Sequence, residues 1–570
     1  MSKFRTSVAC PRSSASEHRR CDFASHPPRL APTVPPIGQA RGVGGGNQAR
    51  GLQAMLIGGN SLSRRSVIGA GLAGAGLLAL GGCAGGERKA TPKKGGSIRV
   101  ATQAASTADT LDPAKGALAT DYTRHFMLYN GLTCIEDESL VPRPSLAKSI
   151  DSADRITWHF ELERGVRFHD GSELTAQDVV FSLLRHKDPA VGSKMETIAA
   201  QFADVRSDGR YGVTIRLTGA NADLPTILAQ SHFLVVRAGQ NAPDGNGTGA
   251  FRLAEFQPGV RTVVVRNEEY WIPGRPHLER VELIAIPDEV SRVNALLSGD
   301  IQLCNAINPR STRRIEADPR YATMATPSAL FTDLIMRQDQ LPTGNPDFVQ
   351  AVKLMIDRPL IKRALFRNYA TIANDQPIAP FQPYFNPDVP QTVLDLDKAR
   401  WHIQRSGLTG VRMPIFAATA AEGSVDMASI LQEYGSKVGL NFAVNRVPAD
   451  GYWSTHWMRH PMTFGNCNPR PTADLIFSLF FDSKANWNES GWKNERFDRL
   501  LIEARGEADE ARRAELYGEM QRIVHDKCGV AIPVFISLLD GHDRRLKGLV
   551  PVPLGAFMGY RFAEYAWWED

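Results

Sequence analysis

Cysteine is scarce and unpaired in this sequence of 570 residues. The seven cysteines are widely spaced, and no two of them form a Cys-x-x-Cys pair. This spacing excludes a zinc cluster and a dense disulfide framework. The sequence does not decide whether the last four cysteines form disulfides: Cys134, Cys304, Cys467 and Cys528.

The body of the chain lacks an excess of basic residues. The net charge is +5, but residues 1–82 hold ten Lys/Arg against two Asp/Glu, and residues 83–570 hold 56 against 59. A nucleic-acid-binding domain normally carries a basic face, so no nucleic-acid partner is expected. The mean hydropathy of −0.24 excludes a polytopic membrane protein. The length predicts two or three domains.

Motifs of common catalytic sites are also absent. The sequence has no GxxxxGK[ST] phosphate loop, no HExxH zinc motif and no GxSxG nucleophile motif. Energy from ATP would therefore have to come from partner subunits. We expect no catalytic residues, no cofactor and no resident metal, with an exported enzyme as the less favoured alternative.

The clearest local signal is an export leader at residues 55–82. Arg64 and Arg65 form a twin-arginine start, an uncharged run rich in Gly, Ala and Leu follows, and Leu-Gly-Gly precedes Cys83. This pattern resembles a Tat signal that ends in a bacterial lipobox, which implies cleavage before Cys83 and acylation of its thiol. The predicted location is the cell envelope, as a membrane-anchored periplasmic lipoprotein. A transmembrane helix is the alternative, but the run is rich in glycine and only modestly hydrophobic.

The segments around the leader have no periodic pattern. Residues 1–54 are rich in Pro, Gly, Arg and Ser, which indicates a disordered extension or a start codon placed too early, since Met55 precedes the arginine pair. Residues 83–96 are predicted to be a flexible tether.

Strand and helix patterns alternate along the mature chain. Apolar residues alternate from Ile156 to Leu162, which is typical of a half-buried strand. Thr175 with Asp178 predicts a capping box at a helix start. We predict single helices over residues 348–366 and 425–438. The alternation favours an α/β body.

Motifs in a fixed order resemble one protein family. The longest is WHFELERGVRFHDGSELTAQDVVFS, from Trp158 to Ser182, and shorter ones are LDP at 111–113, YNGL at 129–132, GTGAF at 247–251, IPD at 286–288, ALLSGD at 295–300 and IDR at 356–358. Together they resemble family 5 extracytoplasmic solute-binding proteins, the peptide/nickel-type receptors of ABC importers. Trp158, Phe160 and Phe168 within this pattern are expected in the core.

The resemblance implies two α/β lobes of the periplasmic-binding-protein type, joined by a hinge, with an extra inserted subdomain. The implied boundaries place lobe I at 97–129, 236–335 and 537–570, the inserted subdomain at 130–235, and lobe II at 336–536. A solute would be trapped between the lobes by hinge closure. The implied protein is a monomer that binds a small organic solute and works with ABC permease and ATPase subunits. A sensor for a membrane signalling partner has the same fold and remains an alternative.

The resemblance also locates the specificity region in lobe II. Family members that bind free peptides often carry Gly-x-x-x-Asp here, and its carboxylate pairs with the peptide ammonium group. If Gly465 aligns, Pro469 occupies the carboxylate position and Arg470 follows. A guanidinium suits a carboxylate or a phosphate. Asp474 is the alternative anchor for an amine.

Further candidates for solute contact come from both expected lobes. Trp453, Trp487 and Trp492 are candidate cleft walls, because ligand pockets are lined by aromatic residues. The remaining candidates are Tyr129, Asn130, Phe331, Asp333, Asn466, Cys467 and Asn468. His456 and His460 would share a helix face, and with Cys467 they leave a nickel or zinc site as a less favoured alternative.

Overall fold

The computed structural model describes residues 91–569 of the chain. Strands in chain order are β1 Ser97–Thr102, β2 Thr133–Cys134, β3 Arg143–Pro144, β4 Ala147–Asp151, β5 Thr157–Leu162, β6 Phe202–Asp208, β7 Gly212–Leu217, β8 Phe251–Gln257, β9 Arg261–Arg266, β10 Arg280–Ala285, β11 Leu303–Cys304, β12 Tyr321–Met336, β13 Ala370–Ile372, β14 Arg412–Ala417, β15 Asn441–Arg446, β16 Met462–Cys467, β17 Val530–Ala531, β18 Val534–Asp543, β19 Leu546–Lys547 and β20 Trp567–Trp568.

The helices lie between these strands. They are α1 Ala119–Leu128, α2 Ala176–Leu184, α3 Glu196–Ala199, α4 Leu224–Leu228, α5 Glu289–Ser298, α6 Thr312–Glu316, α7 Pro346–Leu354, α8 Arg358–Ala364, α9 Leu396–Ser406, α10 Ser424–Val438, α11 Tyr452–Thr455, α12 Ala473–Phe480, α13 Glu495–Gly506, α14 Glu510–Lys527, α15 Ala556–Gly559 and α16 Phe562–Tyr565. No helix of the described residues is long and apolar enough to cross a membrane.

Two long strands connect the two halves of the molecule. The main sheet has the order β15-β14-β16-β12-β18-β11-β1-β10-β9-β8. The antiparallel pairing of β12 with β18 shifts register between Thr326 and Leu330. We call the β8 to β11 side with β1 lobe I, and the β14 to β16 side lobe II. Among residues 91–569, these two paired strands lie between the two sides of the sheet and so connect the lobes.

A separate four-stranded sheet follows α1, with the order β4-β5-β7-β6. Its apolar face has a core of its own, drawn from buried residues between Leu132 and Val235, and includes Trp158, Phe160 and Phe168. The expectation that these three aromatic residues are core residues is confirmed. The boundaries assigned to the lobes and to the inserted subdomain stay predictions.

Local sequence signals place several elements correctly. The capping box at α2 forms as expected, because Asp178 Oδ2 accepts from the backbone N–H of Thr175 at 2.8 Å. Residues 348–366 were expected as one helix, and this prediction is wrong. The carboxylate of Asp357 accepts from Leu360 N and starts a second helix, so the chain forms α7 and α8 instead.

The four cysteines within the described residues are buried free thiols. Burial raises the pKa of Cys304 to about 12 and that of Cys528 to about 11. A raised pKa keeps a thiol protonated and unreactive at neutral pH. The question of disulfides is thus answered for Cys134, Cys304, Cys467 and Cys528. The predictions for the leader, including Arg64, Arg65 and Cys83, lie outside the described residues.

Candidate functional site

Arg470 lies in the loop that leaves β16 at the cleft end of lobe II. Proline precedes and follows it, and its backbone carbonyl accepts from Gln382 Nε2 at 2.8 Å. The side chain is partly buried, forms no ion pair among residues 91–569, and leaves its Nε atom buried without a hydrogen-bond partner. A buried donor without a partner is costly unless a ligand or water satisfies it.

Three aromatic side chains from the lobe I side lie within electrostatic range of Arg470. Tyr122 of α1 contacts His232 and Tyr560 edge-to-face, with ring centroids 5.3 and 5.4 Å apart. Burial raises the pKa of Tyr122 and of Tyr560, and the positive charge of Arg470 opposes both rises. Burial lowers the pKa of His232 to about 4, and Arg470 adds to this lowering. Arg470 therefore lies within electrostatic range of all three rings.

Hydrogen-bonding groups on these three side chains are left open. Among the described residues, the hydroxyls of Tyr122 and Tyr560 have no hydrogen-bond partner. His232 uses Nε2 on the carbonyl of Gly116 at 3.0 Å, and its Nδ1 is buried without a partner. Arg470 and His232 thus each leave a buried nitrogen without a partner, and a bound ligand could satisfy such groups.

A pair of buried carboxyl groups lies deeper in lobe II. Asp333 of β12 is opposite Gly465 of β16, and a Cβ at Gly465 would overlap Glu489 Oε1 and lie 2.5 Å from Asp333 Oδ1. Trp457 Nε1 donates to Glu489 Oε1 at 2.7 Å. No cation pairs with either group among the described residues.

Burial controls the protonation of this pair. It raises the pKa of Asp333 to about 6. Burial and the adjacent Asp333 carboxylate raise the pKa of Glu489 well above its usual range. Two carboxylates this close cannot both ionise without a large electrostatic cost, so at least one of them stays protonated at neutral pH.

The two lobe I candidates from the YNGL motif are held in internal hydrogen bonds. The Tyr129 hydroxyl donates to Leu111 O at 3.1 Å and accepts from Gly245 N at 2.9 Å. Asn130 Oδ1 accepts from Thr248 and from Trp271. Both residues are buried, so the structure gives them a packing role rather than a place in the site with Arg470.

Besides Asp333, four candidates lie on or next to the β12–β16 pair. Phe331 is opposite Cys467, and both belong to a buried apolar cluster. Asn466 Nδ2 donates to Thr332 Oγ1 at 3.1 Å, and Asn468 is exposed beside the loop of Arg470. The structure therefore brings the β16 candidates together, but Phe331 and Cys467 point into the core.

The tryptophan candidates differ from one another in exposure. Trp453 and Trp487 are each 42% exposed, whereas Trp492 is 6% exposed and packs edge-to-face on Phe497. Trp487 lies against Phe480, with ring centroids 5.5 Å apart. Trp492 is thus a core residue, and only the other two offer a free aromatic surface.

The alternative anchors are occupied. Asp474 is buried and pairs with Arg505 at 2.9 Å, which leaves it unsuited to bind a solute amine.

The two histidines proposed as metal ligands contact each other instead. His456 and His460 form a hydrogen bond of 3.0 Å between ring nitrogens, and His460 stacks on Phe416 with ring centroids 3.6 Å apart. Only Tyr452–Thr455 is helical here, so the expected shared helix face does not form. Residues 91–569 contain no group of three or more potential metal-ligating side chains.

Sequence reasoning missed Tyr122, His232, Tyr560 and Glu489. Tyr560 follows α15, a turn in which Phe557 and Met558 have φ of 55° and 60°. No local pattern marks such residues, because they meet Arg470 or Asp333 only across long sequence separations. Gly465 was the one available signal for Glu489, since glycine within a strand indicates close approach of another group.

Comparisons with known proteins agree with this architecture. Residues 141–489 match the family described as bacterial extracellular solute-binding proteins, family 5 middle region. Heme-binding protein A of Haemophilus influenzae is 26% identical over 478 residues, which covers 76% of this chain and 86% of the relative. Glutathione-binding protein GsiB of Escherichia coli K12 is 24% identical over 466 residues, which covers 78% and 90%.

A solved structure shows the same two-lobed fold. DppA from Helicobacter pylori, in complex with the peptide STSA, superposes with a TM-score of 0.72 at 22% identity, over 84% of this chain and 99% of that one. The prediction of a two-lobed α/β periplasmic-binding-protein fold is confirmed. The family match spans more than half of the chain, and the chain therefore belongs to family 5 of the bacterial extracellular solute-binding proteins, the substrate-binding proteins of ABC transporters.

Proposed function

We propose that this chain is a Tat-exported, lipid-anchored receptor that captures an organic solute between lobes I and II and delivers it to an ABC permease. One observation carries the proposal: Arg470 of lobe II has no ion-pair partner among the described residues and lies within electrostatic range of Tyr122, His232 and Tyr560, which belong to other segments of the chain. A receptor of this kind binds its solute and releases it unchanged. The driving ATP hydrolysis belongs to partner subunits.

The solute is peptide-like or another anionic organic molecule. The names of the relatives show that this family accommodates heme, glutathione and peptides. In this chain, proline occupies position 469 and Asp474 is paired with Arg505. Neither residue can hold a free ammonium group, so a positively charged anchor replaces a negative one in lobe II.

The leader supports anchoring at the outer face of a membrane. Cleavage before Cys83 would leave a short tether between an acylated cysteine and β1, which begins at Ser97. A single lipid anchor keeps the receptor beside its permease without inserting the folded body into the bilayer.

Deletion of the gene that encodes this chain, in the bacterium it comes from, tests the receptor role. The solute is first identified by native mass spectrometry of the purified full-length chain, and its uptake is then measured in the deletion strain. Loss of uptake, restored by the wild-type gene, is expected. Loss of a response with uptake intact would assign the protein to sensing, and conversion of the solute by the purified chain would assign it to catalysis.

Two leader variants test the export route. Replacing both Arg64 and Arg65 by Lys is expected to block export, because the Tat route requires the arginine pair. Cys83→Ser is expected to abolish lipid labelling, and Cys134→Ser, at a free thiol of the mature body, is the matched control. A fully exported Lys–Lys variant, or a lipid-labelled Cys83→Ser variant, would contradict this part of the proposal.

A further inference from the structure

The segment Tyr452–His460, which we call the strap, lies between β15 and β16 in lobe II. The parallel strands β14 and β15 end beside it, since His460 of the strap stacks on Phe416, the residue before the end of β14. Open α/β sheets bind ligands outside the carboxyl ends of their parallel strands. The strap therefore occupies the edge of lobe II at which such a sheet would bind a ligand.

Two hydrogen bonds hold the strap in a way that does not depend on acid. Trp457 Nε1 donates to Glu489 Oε1 at 2.7 Å, and Arg337 Nη1 donates to the carbonyl of Met458 at 3.0 Å. Met458 has φ of 57°, a left-handed conformation that is uncommon for a residue other than glycine. Both bonds persist when the pH falls, because a protonated carboxyl group still accepts and a guanidinium stays charged.

A pair of histidines holds the strap in a different way. His456 Nδ1 and His460 Nε2 lie 3.0 Å apart, which is a hydrogen bond between two ring nitrogens. One nitrogen must donate a proton, and the other must accept it with a free lone pair. When both rings are imidazolium ions, both nitrogens carry a proton, and no bond can form between them. The contact therefore exists only while the pair carries at most one positive charge.

The side chains around the two rings offer no replacement for that bond. Phe416 stacks on both, with ring centroids 3.6 Å from His460 and 5.9 Å from His456, and the Tyr452 ring lies 6.2 Å from His456. Within residues 91–569, no carboxylate forms an ion pair with either histidine. Burial and the positive charge of His456 lower the pKa of His460. Protonation of both rings therefore opposes the folded position of the strap.

The charged groups beside the strap respond to acid in other ways. Arg459 is exposed and Arg337 pairs with Asp339, and arginine does not titrate near neutral pH. Asp333 and Glu489 gain protons as the pH falls, which removes their mutual repulsion. Acid thus stabilises the carboxyl pair and destabilises the histidine pair. The direction of a pH response in the strap tells the two pairs apart.

We propose that the His456–His460 pair is a pH-sensitive contact that fixes the strap near neutral pH and releases it when both rings are protonated. Release frees the first turn of the strap, which carries Trp453, while Trp457 and Met458 keep their hydrogen bonds. Trp453 is 42% exposed and packs edge-to-face on Trp457. Acid therefore changes the aromatic surface at the carboxyl edge of lobe II. This inference goes beyond the receptor role proposed above and requires no bound solute.

Hydrogen–deuterium exchange of the purified full-length chain, read by peptide mass spectrometry, tests this contact. Exchange of the amides of residues 451–461 is compared at about pH 5 and about pH 8, after correction for the intrinsic pH dependence of exchange. We expect severalfold faster exchange at the lower pH. Equal exchange at both pH values, or faster exchange only at the higher one, overturns the proposal.

Exchange in β12 separates local release from unfolding of the lobe. The backbone of β12 pairs with β16 and β18 and should exchange at the same corrected rate at both pH values. Acceleration of β12 to the same extent as the strap would show that acid unfolds lobe II, which also overturns the proposal. The receptor role is judged separately, by uptake in the deletion strain.

Two variants assign the response to the histidine pair. His460→Gln keeps a donor and an acceptor at this position but cannot become charged, so the strap should lose its response to pH, at whatever level its exchange settles. His159→Gln is the matched control, because His159 is exposed in the separate four-stranded sheet, and its strap should respond as in the wild type. A strap that still exchanges faster in acid in His460→Gln contradicts the assignment.

Discussion

Two buried arginine–aspartate pairs have similar geometry but join different parts of the molecule. Arg358 pairs with Asp375 inside lobe II at 2.6 Å, with side chains 1% and 0% exposed. Arg513 of α14 pairs with Asp223 at 2.6 Å, and Asp223 precedes α4 beside the separate four-stranded sheet. The first pair stays buried in any arrangement of the lobes. The second pair would become hydrated if lobe II moved away from that sheet, so we expect it to favour closure of the lobes.

A third buried acid site lacks a cation altogether. Asp333 and Glu489 share the interior of lobe II with Asp375, yet they face each other over Gly465. The comparison shows two ways in which lobe II stabilises a buried carboxyl group: Asp375 pairs with an arginine, whereas Glu489 is stabilised by keeping its proton. Whether an arginine or a proton stabilises the carboxyl group decides how each site responds to pH and to substitution.

Arg358→Met is expected to have the largest effect. It leaves Asp375 buried without its cation, which costs about 3–5 kcal/mol of the free energy of unfolding. Urea denaturation at pH 7 measures the loss. Arg400→Met is the matched control, because Arg400 pairs with Asp397 at the surface and should cost less than about 1 kcal/mol. Equal losses in the two variants would refute the importance of burial.

Raising the pH is expected to destabilise the wild-type chain through Asp333 and Glu489. Their pKa values are raised in the folded state, so their contribution is complete below about pH 4, the range of the unfolded groups, and is lost as pH rises through about 6 and beyond. The shift at Asp333 corresponds to about 3 kcal/mol.

Glu489→Gln tests this pH dependence. The amide supplies a donor to Asp333, so the fall in unfolding free energy between pH 5 and pH 8 should shrink by about 2–3 kcal/mol. Glu495→Gln, at an exposed position, should leave the pH profile as it is in the wild type. Identical profiles for wild type and Glu489→Gln would show that the two carboxyl groups do not share a proton.

Gly465→Ala is expected to cost about 1–3 kcal/mol, since its methyl group would separate the two carboxyl groups. Gly219→Ala is the control, because no atom lies within 4 Å of a Cβ at Gly219. The difference between the two variants in urea midpoint isolates the contact. A loss in Gly465→Ala no larger than in the control would place the carboxyl groups elsewhere.

Asp223→Asn is expected to have the smallest effect, and to change affinity rather than stability. Weakening the cross-lobe pair reduces the closed population, so the apparent affinity for the solute should fall about tenfold, which is about 1.4 kcal/mol. Calorimetric titration measures it. Asp375→Asn should lower the unfolding free energy and leave affinity unchanged. If the two variants behave alike, the Arg513–Asp223 pair does not report closure.

Local features of the sequence predicted much of the fold. The alternation from Ile156 to Leu162 and the Thr175–Asp178 capping box act within a few residues, and both form as expected. The split of residues 348–366 into α7 and α8 was missed, although Asp357 followed by Arg-Pro is itself a helix-start signal. The prediction followed the hydrophobic periodicity of residues 348–366 and did not use the helix cap at Asp357.

The candidate site was predictable on one side only. The prolines beside Arg470 and the missing carboxylate at position 469 lie in one short segment, so the sequence pointed to a positively charged anchor. Tyr122, His232 and Tyr560 lie on three separate segments of lobe I. No spacing rule links residues that are hundreds of positions apart.

By itself, the sequence determined the α/β class, the start of α2, the family and the unusual arginine in lobe II, because these depend on short-range patterns. The tertiary structure alone decided that Asp474 pairs with Arg505, that Asp333 meets Glu489, and that Arg470 comes within electrostatic range of Tyr122. The physical reason is that charge pairing and burial depend on which segments the folded sheet brings together. A side chain becomes an anchor or a structural partner only through those neighbours.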